Sequence, residues 1–455
     1  MINVTRRLAS LLPFYYGWLI VGIAFVTMAI GVTARTSFSL LLPPLIAEFG
    51  WDRGVVAGAF SFGFLVSATA SPLAGRVMDA RGPRVVIGAG VCLMTAGLLL
   101  SPEIGRPWQL YLILGVLVGC GTNLMTYTAQ SLYLPNWFIR RRGLALSLAF
   151  AGAGVGAIVL LPWMQAIIVH DGWRAACRAM GLLSLIVLVP LNLLVRQRPQ
   201  DVGASPDGLA TAAGARRRGL TVVDPEWAAV DWTLARAVRT RRFWWIMLGY
   251  FCAMFAWYAV QVHQTKYLVE LGFSPLLAGW ALGVVSAVSI PGQIALGALS
   301  DRIGREWVWS IGCSGFALCY VALLALEQAP SYALLWVMVA SQGFLGYALP
   351  SVMGPIVAEI FEGPHYGAVF GTVIMALIGG GAAAPWAAGV IRDVTGSYRL
   401  AWVAAIACCV VSAAVIWIAA PRKVRHVPGL RAHRAAGTPK PGTAGPADDA
   451  ASRCR

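Results

Sequence analysis

Gly75-Arg76-Val77-Met78-Asp79-Ala80-Arg81-Gly82-Pro83-Arg84 and, 222 residues further on, Gly297-Ala298-Leu299-Ser300-Asp301-Arg302-Ile303-Gly304-Arg305 carry one pattern twice. In each copy an aspartate follows the first glycine by four residues, a second glycine follows by seven, and arginines flank it. The pairing extends beyond the two loops. Gly50 recurs as Gly272 at the same spacing, and Gly143 and Pro162 recur as Gly367 and Pro385 at 224 and 223 residues. The chain is therefore a tandem repeat of two parallel halves. A glycine in such a loop permits a tight turn, and the carboxylate and guanidinium can pair with each other or meet helix ends.

Around both copies the sequence is apolar. Hydrophobic residues make up 58% of the 455 and charged residues only 12%, about half the share of a soluble domain. Crossing a hydrocarbon core takes about 20 apolar residues, and the gaps between charges are that long or longer. They predict helices over 8–34, 54–75, 85–102, 107–139, 143–169 and 179–195, then over 243–265, 271–300, 307–326, 328–358, 366–391 and 400–421. The expected fold is an all-α membrane protein of twelve transmembrane helices in two six-helix pseudo-symmetric bundles, residues 1–195 and 243–421. A linker at 196–242 and a tail at 422–455 complete it. The first apolar run lacks a small-residue cleavage site and is expected to stay as helix one.

Net charge is +16, which in a soluble chain would suggest nucleic acid. Here the placement of the charges matters more than their sum. With the N-terminus inside, inner loops and tails hold 27 of the 35 Lys and Arg, outer loops hold seven, and Arg35 lies near the end of helix one. That asymmetry follows the positive-inside rule, so both termini are expected to be cytoplasmic and the protein multi-pass in the cell inner (plasma) membrane. The linker carries Arg216, Arg217 and Arg218 and ends in Asp231–Arg242, either an amphipathic interfacial helix or a solvated tether. The tail from 437 is poor in bulky residues, and disorder is expected there.

Several function classes drop out. No Gly-x-x-x-x-Gly-Lys-Ser/Thr phosphate loop is present and no soluble segment is large enough for a nucleotide domain, so no nucleotide is expected as partner. Nine cysteines scatter through apolar spans without paired metal spacing, Cys408 and Cys409 being adjacent; they read as small packing residues. No cofactor or metal is implied. Paired carboxylates, His clusters and nucleophile motifs are missing at depth, which argues against an enzyme. A sensor keeping the same helices without transport remains a rival, although no output domain is visible.

The twin loops resemble the signature loop of the major facilitator superfamily, the second copy more closely than the first, which departs at Ala80 and Pro83. Trp137-Phe138-Ile139-Arg140-Arg141-Arg142-Gly143-Leu144-Ala145, with Ala149, Ala151 and Gly152 behind it, resembles the helix-five entry of monocarboxylate porters. Tyr15-Tyr16-Gly17-Trp18, Arg35-Thr36-Ser37-Phe38 and Glu48-Phe49-Gly50-Trp51 are similar to bacterial members of the monocarboxylate porter and oxalate:formate antiporter group. The resemblance implies a secondary carrier of small organic anions working by alternating access, by proton symport or anion exchange. It also implies that the Asp79 and Asp301 loops latch the halves on the cytoplasmic side, and that helices one, four, seven and ten line the cavity. The Gly and Ala run through Gly156 is a smooth packing face.

An ionisable group inside a bilayer costs about 2.5 to 3.5 kcal/mol on insertion scales, so one that persists is a functional candidate. Arg35 is the foremost: its fork suits a carboxylate, the alternative being a helix-end residue reaching outer headgroups. Helix seven offers Trp257, Gln261 and Gln264 on one face at i, i+4 and i+7, beside Tyr258 and Lys266, and His263, the proton-coupling candidate by its titration range. Asn123, Tyr127 and Gln130 form a like stripe on helix four, and helix ten adds Gln342 and Tyr347. These groups either face the cavity or bond neighbouring helices. Glu359 reads as a loop charge. One departure bears on substrate. The resemblance places an anion-holding arginine in helix eight, four residues before Gly297, where this chain has Gln293 behind Pro291 and Gly292. Helix eleven, 370–390, has no Lys or Arg either. Either Arg35 anchors the anion alone, or the solute is a larger, more apolar weak acid or a neutral molecule.

Overall fold

In hydrocarbon every backbone N–H and C=O must find its partner within the protein, and the helix achieves this inside one segment. In the computed structural model, which describes residues 13–208 and 221–427, the apolar runs take that conformation. Ten continuous helical runs meet the length and apolarity of a span. One of them, Arg142–Leu194, is 53 residues long, far more than a bilayer needs, and it breaks at Gly172, whose φ is 83°. It is therefore two helices, and Arg53–Arg81, of 29 residues, is the twelfth.

In chain order, among the described residues, these are α1 (Tyr16–Phe49), α2 (Arg53–Arg81), α3 (Pro83–Leu100), α4 (Pro107–Trp137), α5 (142–171), α6 (173–194), α7 (Arg241–Glu270), α8 (Pro275–Ile303), α9 (Arg305–Gln328), α10 (Tyr332–Ile360), α11 (Tyr366–Thr395) and α12 (Arg399–Ala419). α1 runs 15 residues beyond the span expected from the sequence, because Ser37 keeps right-handed backbone at the joint and Pro43 and Pro44 are accommodated inside the helix. Glu48 near its far end pairs with Arg174 at 2.7 Å and accepts from Trp173 Nε1, tying α1 to the start of α6.

Glycine sets how the helices meet. Within the first half a Cβ on Gly156 would collide with the backbone of Ala29, joining α5 to α1; within the second, Gly380 meets Phe251 in the same way, joining α11 to α7. Between halves the closest backbone crossings are α2 with α11 and α5 with α8. Gly75 lies directly on the carbonyl of Gly367, and Gly143 on the carbonyl of Gly297. Such close approach of backbones is how helices gain packing where no hydrophobic drive exists between them.

Among its described residues, 196–208 and 221–242, the segment between the halves is neither a free tether nor one interfacial helix. Pro199–Val202 forms a short turn, and the Asp207 carboxylate accepts from the N–H of Ile139 and Arg140 at 3.1 and 3.0 Å. Burial pushes the Asp207 carboxyl above its ordinary value, and those two donors pull it back. Further on, Trp227 and Trp232 pack on Phe361 just after α10, tilted and edge to face, and Trp227 Nε1 donates to the Ile360 carbonyl. The amphipathic periodicity of 231–242 thus buries Trp232 and Ala237 against protein instead of lipid. β1 (Thr221–Val222) pairs antiparallel with β2 (Arg425–His426), so the chain after α12 is stitched to the same face. Arg216, Arg217 and Arg218 and the tail beyond 427 lie outside the described residues.

Gly75→Val would force side-chain volume between α2 and α11. Overpacking of this kind costs about 1–3 kcal/mol, so purified Gly75→Val should unfold at a lower temperature than the native protein. An unchanged midpoint would mean the two helices stand further apart.

Candidate functional site

Four helices lose their regularity or carry their polar groups at matching depth. α4 contains a π segment at Tyr111–Val118 and leaves helical geometry at Thr126, with φ −97° and ψ −138°. α10 has a π segment at Ser341–Leu345 followed by a 3-10 turn at Gly346–Ala348. Tyr127 follows the break at Thr126 and Tyr347 sits in the 3-10 turn of α10. Interrupted helices beside a midplane site are the described arrangement of secondary transporters.

Arg35 faces this region. It is the twentieth residue of the 34 in α1, within the helical run and not at its end. Tyr127 of α4 and Tyr258 of α7 are its electrostatic neighbours, and Tyr347 of α10 interacts with both tyrosines. Helices 1, 4, 7 and 10 thus converge. Tyr347 Oη donates to Gln261 Oε1 at 3.1 Å and its ring lies 4.2 Å from Trp257. Arg35, Tyr127, Trp257, Tyr258, Gln261 and Tyr347 are all half-buried, as groups lining an opening would be. Among the described residues Arg35 has no carboxylate and no hydrogen-bond acceptor. Its guanidinium lies 3.7 Å over the ring of Phe64 instead, beside a pocket bounded by Phe38, Phe60, Ser67, Leu114 and Val118.

The other sequence candidates are placed differently. Asn123 donates to Ser67 O and Ser71 Oγ at 3.3 and 3.1 Å, holding α4 to α2. Gln130 is enclosed, donating to Met125 O and accepting from Tyr133. Gln264 is fully buried with neither amide atom partnered, and Gln342 leaves its Nε2 unpartnered. Lys266 is solvent-exposed, pairing loosely with Glu270 at 3.9 Å. His263 turns away from Arg35 toward α11, where Nε2 meets the Pro385 carbonyl at 3.0 Å and Nδ1 meets Tyr398 Oη at 3.2 Å. Gln293 is 5% exposed and has no hydrogen-bond partner among the described residues. Helical period identified the polar faces of these helices, but it could not say which neighbour would use them.

The face that carries the linker is closed by the twin loops. Asp79 accepts from the N–H of Gly367 and Ala368 at 2.8 and 3.0 Å, at the start of α11. Asp301 accepts from Gly143 and Leu144 at 3.0 and 3.2 Å, at the start of α5. Each carboxylate meets the positive end of a helix from the opposite half. Behind Asp301 stands Arg305, fully buried, at 2.8 Å from Asp301 and 2.9 Å from Glu359. Glu359 is therefore no loop charge: it is 1% exposed and serves this arginine. Asp79 has no such backing, since Arg81 is exposed and Arg84 donates to the Leu193 carbonyl. Gly82 and Gly304 turn the chain at φ 79° and 109° between paired helices, while Arg302 is exposed. Sequence reading missed a further bridge, in which Glu362 takes Arg142 of the first half at 3.4 Å and Arg425 at 3.0 Å; only an acid after α10 hinted at it.

A fold of two six-helix halves is also found among known proteins. The profile of the Major Facilitator Superfamily matches residues 23–349 and, in a second match, 246–445. The chain belongs to the Major Facilitator Superfamily. Monocarboxylate transporter 13 of Rattus norvegicus is 28% identical over 397 residues, covering 86% of each chain. Monocarboxylate transporter 12 of Homo sapiens is 25% identical over 413 residues, covering 85% of this chain and 77% of that one. Among solved structures, the proton:xylose symporter XylE bound to 6-bromo-6-deoxy-D-glucose superposes with a TM-score of 0.73 at 16% identity, covering 92% of this chain and 99% of XylE. This member of the Major Facilitator Superfamily is a multi-pass membrane transporter of a small molecule, similar to monocarboxylate porters.

Asp301→Asn should loosen the closure, since hydrogen bonds to a charged acceptor are worth about 1.5–3 kcal/mol. A cysteine introduced at Ser147, which packs on Gly297, reports on it: maleimide should label it several-fold faster in the Asp301→Asn background. Equal rates would show that the carboxylate does not hold α5 to α8.

Proposed function

We propose that this transporter is a secondary carrier of small organic anions, monocarboxylate-like, which works by alternating access about a site between helices 1, 4, 7 and 10. The single observation that supports it is an arginine within α1 that has no carboxylate partner among the described residues and has Tyr127 and Tyr258 as its electrostatic neighbours. A buried cation without an anion is costly unless something arrives to pair with it. A carboxylate would meet the guanidinium through two parallel hydrogen bonds, with Tyr127, Tyr258, Gln261, Tyr347 and Gln293 as neutral donors and acceptors around it. In this reading the linker face is cytoplasmic, both termini lie there, and the Asp79 and Asp301 contacts form the inner gate of a carrier resident in the plasma membrane.

For coupling, exchange is the reading favoured over proton symport. The acids of the described spans, among them Glu48, Asp79, Glu270, Asp301, Glu306, Glu327, Glu359 and Asp393, all lie within the first or last few residues of their helices. His263 is engaged on both nitrogens outside the site. A proton would have no side-chain carrier beside Arg35, whereas a second anion needs none. A larger apolar weak acid is the second reading, favoured by the ring-rich wall of Trp257, Phe60 and Phe64.

Arg35→Gln should abolish uptake of radiolabelled monocarboxylates into proteoliposomes while leaving membrane yield intact; native kinetics in that variant would remove Arg35 as anchor. For exchange, preloading vesicles with unlabelled anion should accelerate uptake and an imposed pH gradient should not. Uptake driven by the pH gradient and lost in His263→Gln would restore symport through that histidine.

A further inference from the structure

A row of aromatic rings runs from the anchor to the opposite half. Phe38, one turn beyond Arg35 on α1, stacks on Phe60 at 5.3 Å. Phe60 meets Phe64, its i+4 neighbour on α2, edge to face at 5.0 Å. Phe64 then meets Tyr258 of α7 edge to face at 6.2 Å, across the boundary between halves. Arg35 lies on this row, 3.7 Å from the Phe64 centroid and 5.9 Å from that of Phe60.

Resting on Arg35 as the anion anchor, we propose that Phe64 is its positioning residue, a neutral counter-surface that keeps the guanidinium charged and aimed while leaving its N–H donors free for substrate. A carboxylate partner would do the first task but would occupy those donors and compete with the incoming anion. A ring face attracts the cation through its quadrupole and takes up only the flat face of the guanidinium, whereas the five N–H groups point outward in its plane. The distance of 3.7 Å to Phe64 is a stacking distance, and that to Phe60 is not, so Phe64 carries the role. Through its edge contact with Tyr258 the same ring also touches the half that lacks a cation at the site.

The test uses the full-length carrier in proteoliposomes with two probes, radiolabelled L-lactate and radiolabelled benzoate. Phe64→Leu keeps an apolar group but removes the ring, and pentafluorophenylalanine introduced at position 64 keeps the shape while inverting the quadrupole. Both should raise KM roughly 3- to 30-fold with kcat within about twofold, and Phe64→Trp should restore native KM. Should Phe64→Leu fail to reach the membrane, the fluorinated ring decides alone. Native KM with that ring, or failure of Phe64→Trp to restore it when Arg35→Gln abolishes uptake, overturns the role of Phe64 and leaves the anchor standing. Unaltered uptake in Arg35→Gln, or no saturable uptake of either probe by the native protein, overturns the anchor and this proposal with it.

Discussion

Two aspartates, each meeting the positive end of a helix from the other half, are the constraint on which the closed linker face depends. Asp79 sits at the start of α11 and Asp301 at the start of α5. Neither contact can form unless the helices touch, and they touch because glycine opposes glycine at both crossings. On the proposed alternating-access reading, the arrangement would have to hold this face shut and yet be weak enough to open. Its four hydrogen bonds replace ones that water makes to the same groups when the face opens, so each contributes only a net amount of order 1–3 kcal/mol. A latch made of apolar packing alone would leave no orphaned N–H groups for water to satisfy and would release less readily.

The two latches are not equal. Asp301 is backed by Arg305 and Glu359, an array buried among α8, α9 and α10. Burying such a triad is costly unless every lone pair and proton is used, and one Arg305 nitrogen remains unpartnered. Among the described residues Asp79 accepts hydrogen bonds only from backbone N–H groups, with His365 nearby. The half that contains Arg305 therefore holds its carboxylate in fixed orientation, while the other latch depends on the approach of α11 itself. Glu362, shared between Arg142 and Arg425, adds a contact from the chain after α12 to this same side.

Backbone geometry is the part of this fold that a sequence makes legible. Gly75, Asp79 and Gly82 and their counterparts stand at fixed spacing because a turn, a close crossing and a helix-end contact require those residue types, so the repeat and the twelve spans can be read directly. Tyr127 and Gln261 can be read as candidates too, since period 3.6 puts them on polar faces of their helices, whereas Tyr258 and Tyr347 stand out only as polar groups within apolar spans. Asn123 shares a face with Tyr127 by period, yet the break at Thr126 lies between them and no residue type announces it, while Gln130, on the same segment as Tyr127, is taken up by Met125 O and Tyr133. Glu359 reads as a loop charge because its partner Arg305 lies 54 residues away, a proximity that only folding creates. Asp231–Arg242 has an amphipathic pattern, but the apolar surface it covers is Phe361, which no local periodicity reveals.

The unequal sharing of charge across the site bears on how a substrate could move the halves. On the proposed reading, with Arg35 in α1 and Gln293 at the α8 position where the resemblance to monocarboxylate porters implies an arginine, an anion would be held by the first half throughout alternating access. Binding that is equal in two conformations shifts neither. The work of switching must then come from contacts that change, and those belong to the second half: Tyr258 against Phe64, and Tyr347 and Trp257 against the solute. These are neutral hydrogen bonds and ring contacts, individually worth about 0.5–1.5 kcal/mol, so the difference a substrate can impose is modest. A carrier built this way suits a solute whose body, as well as its carboxylate, touches the second half, which is why the aromatic wall matters as much as the cation facing it.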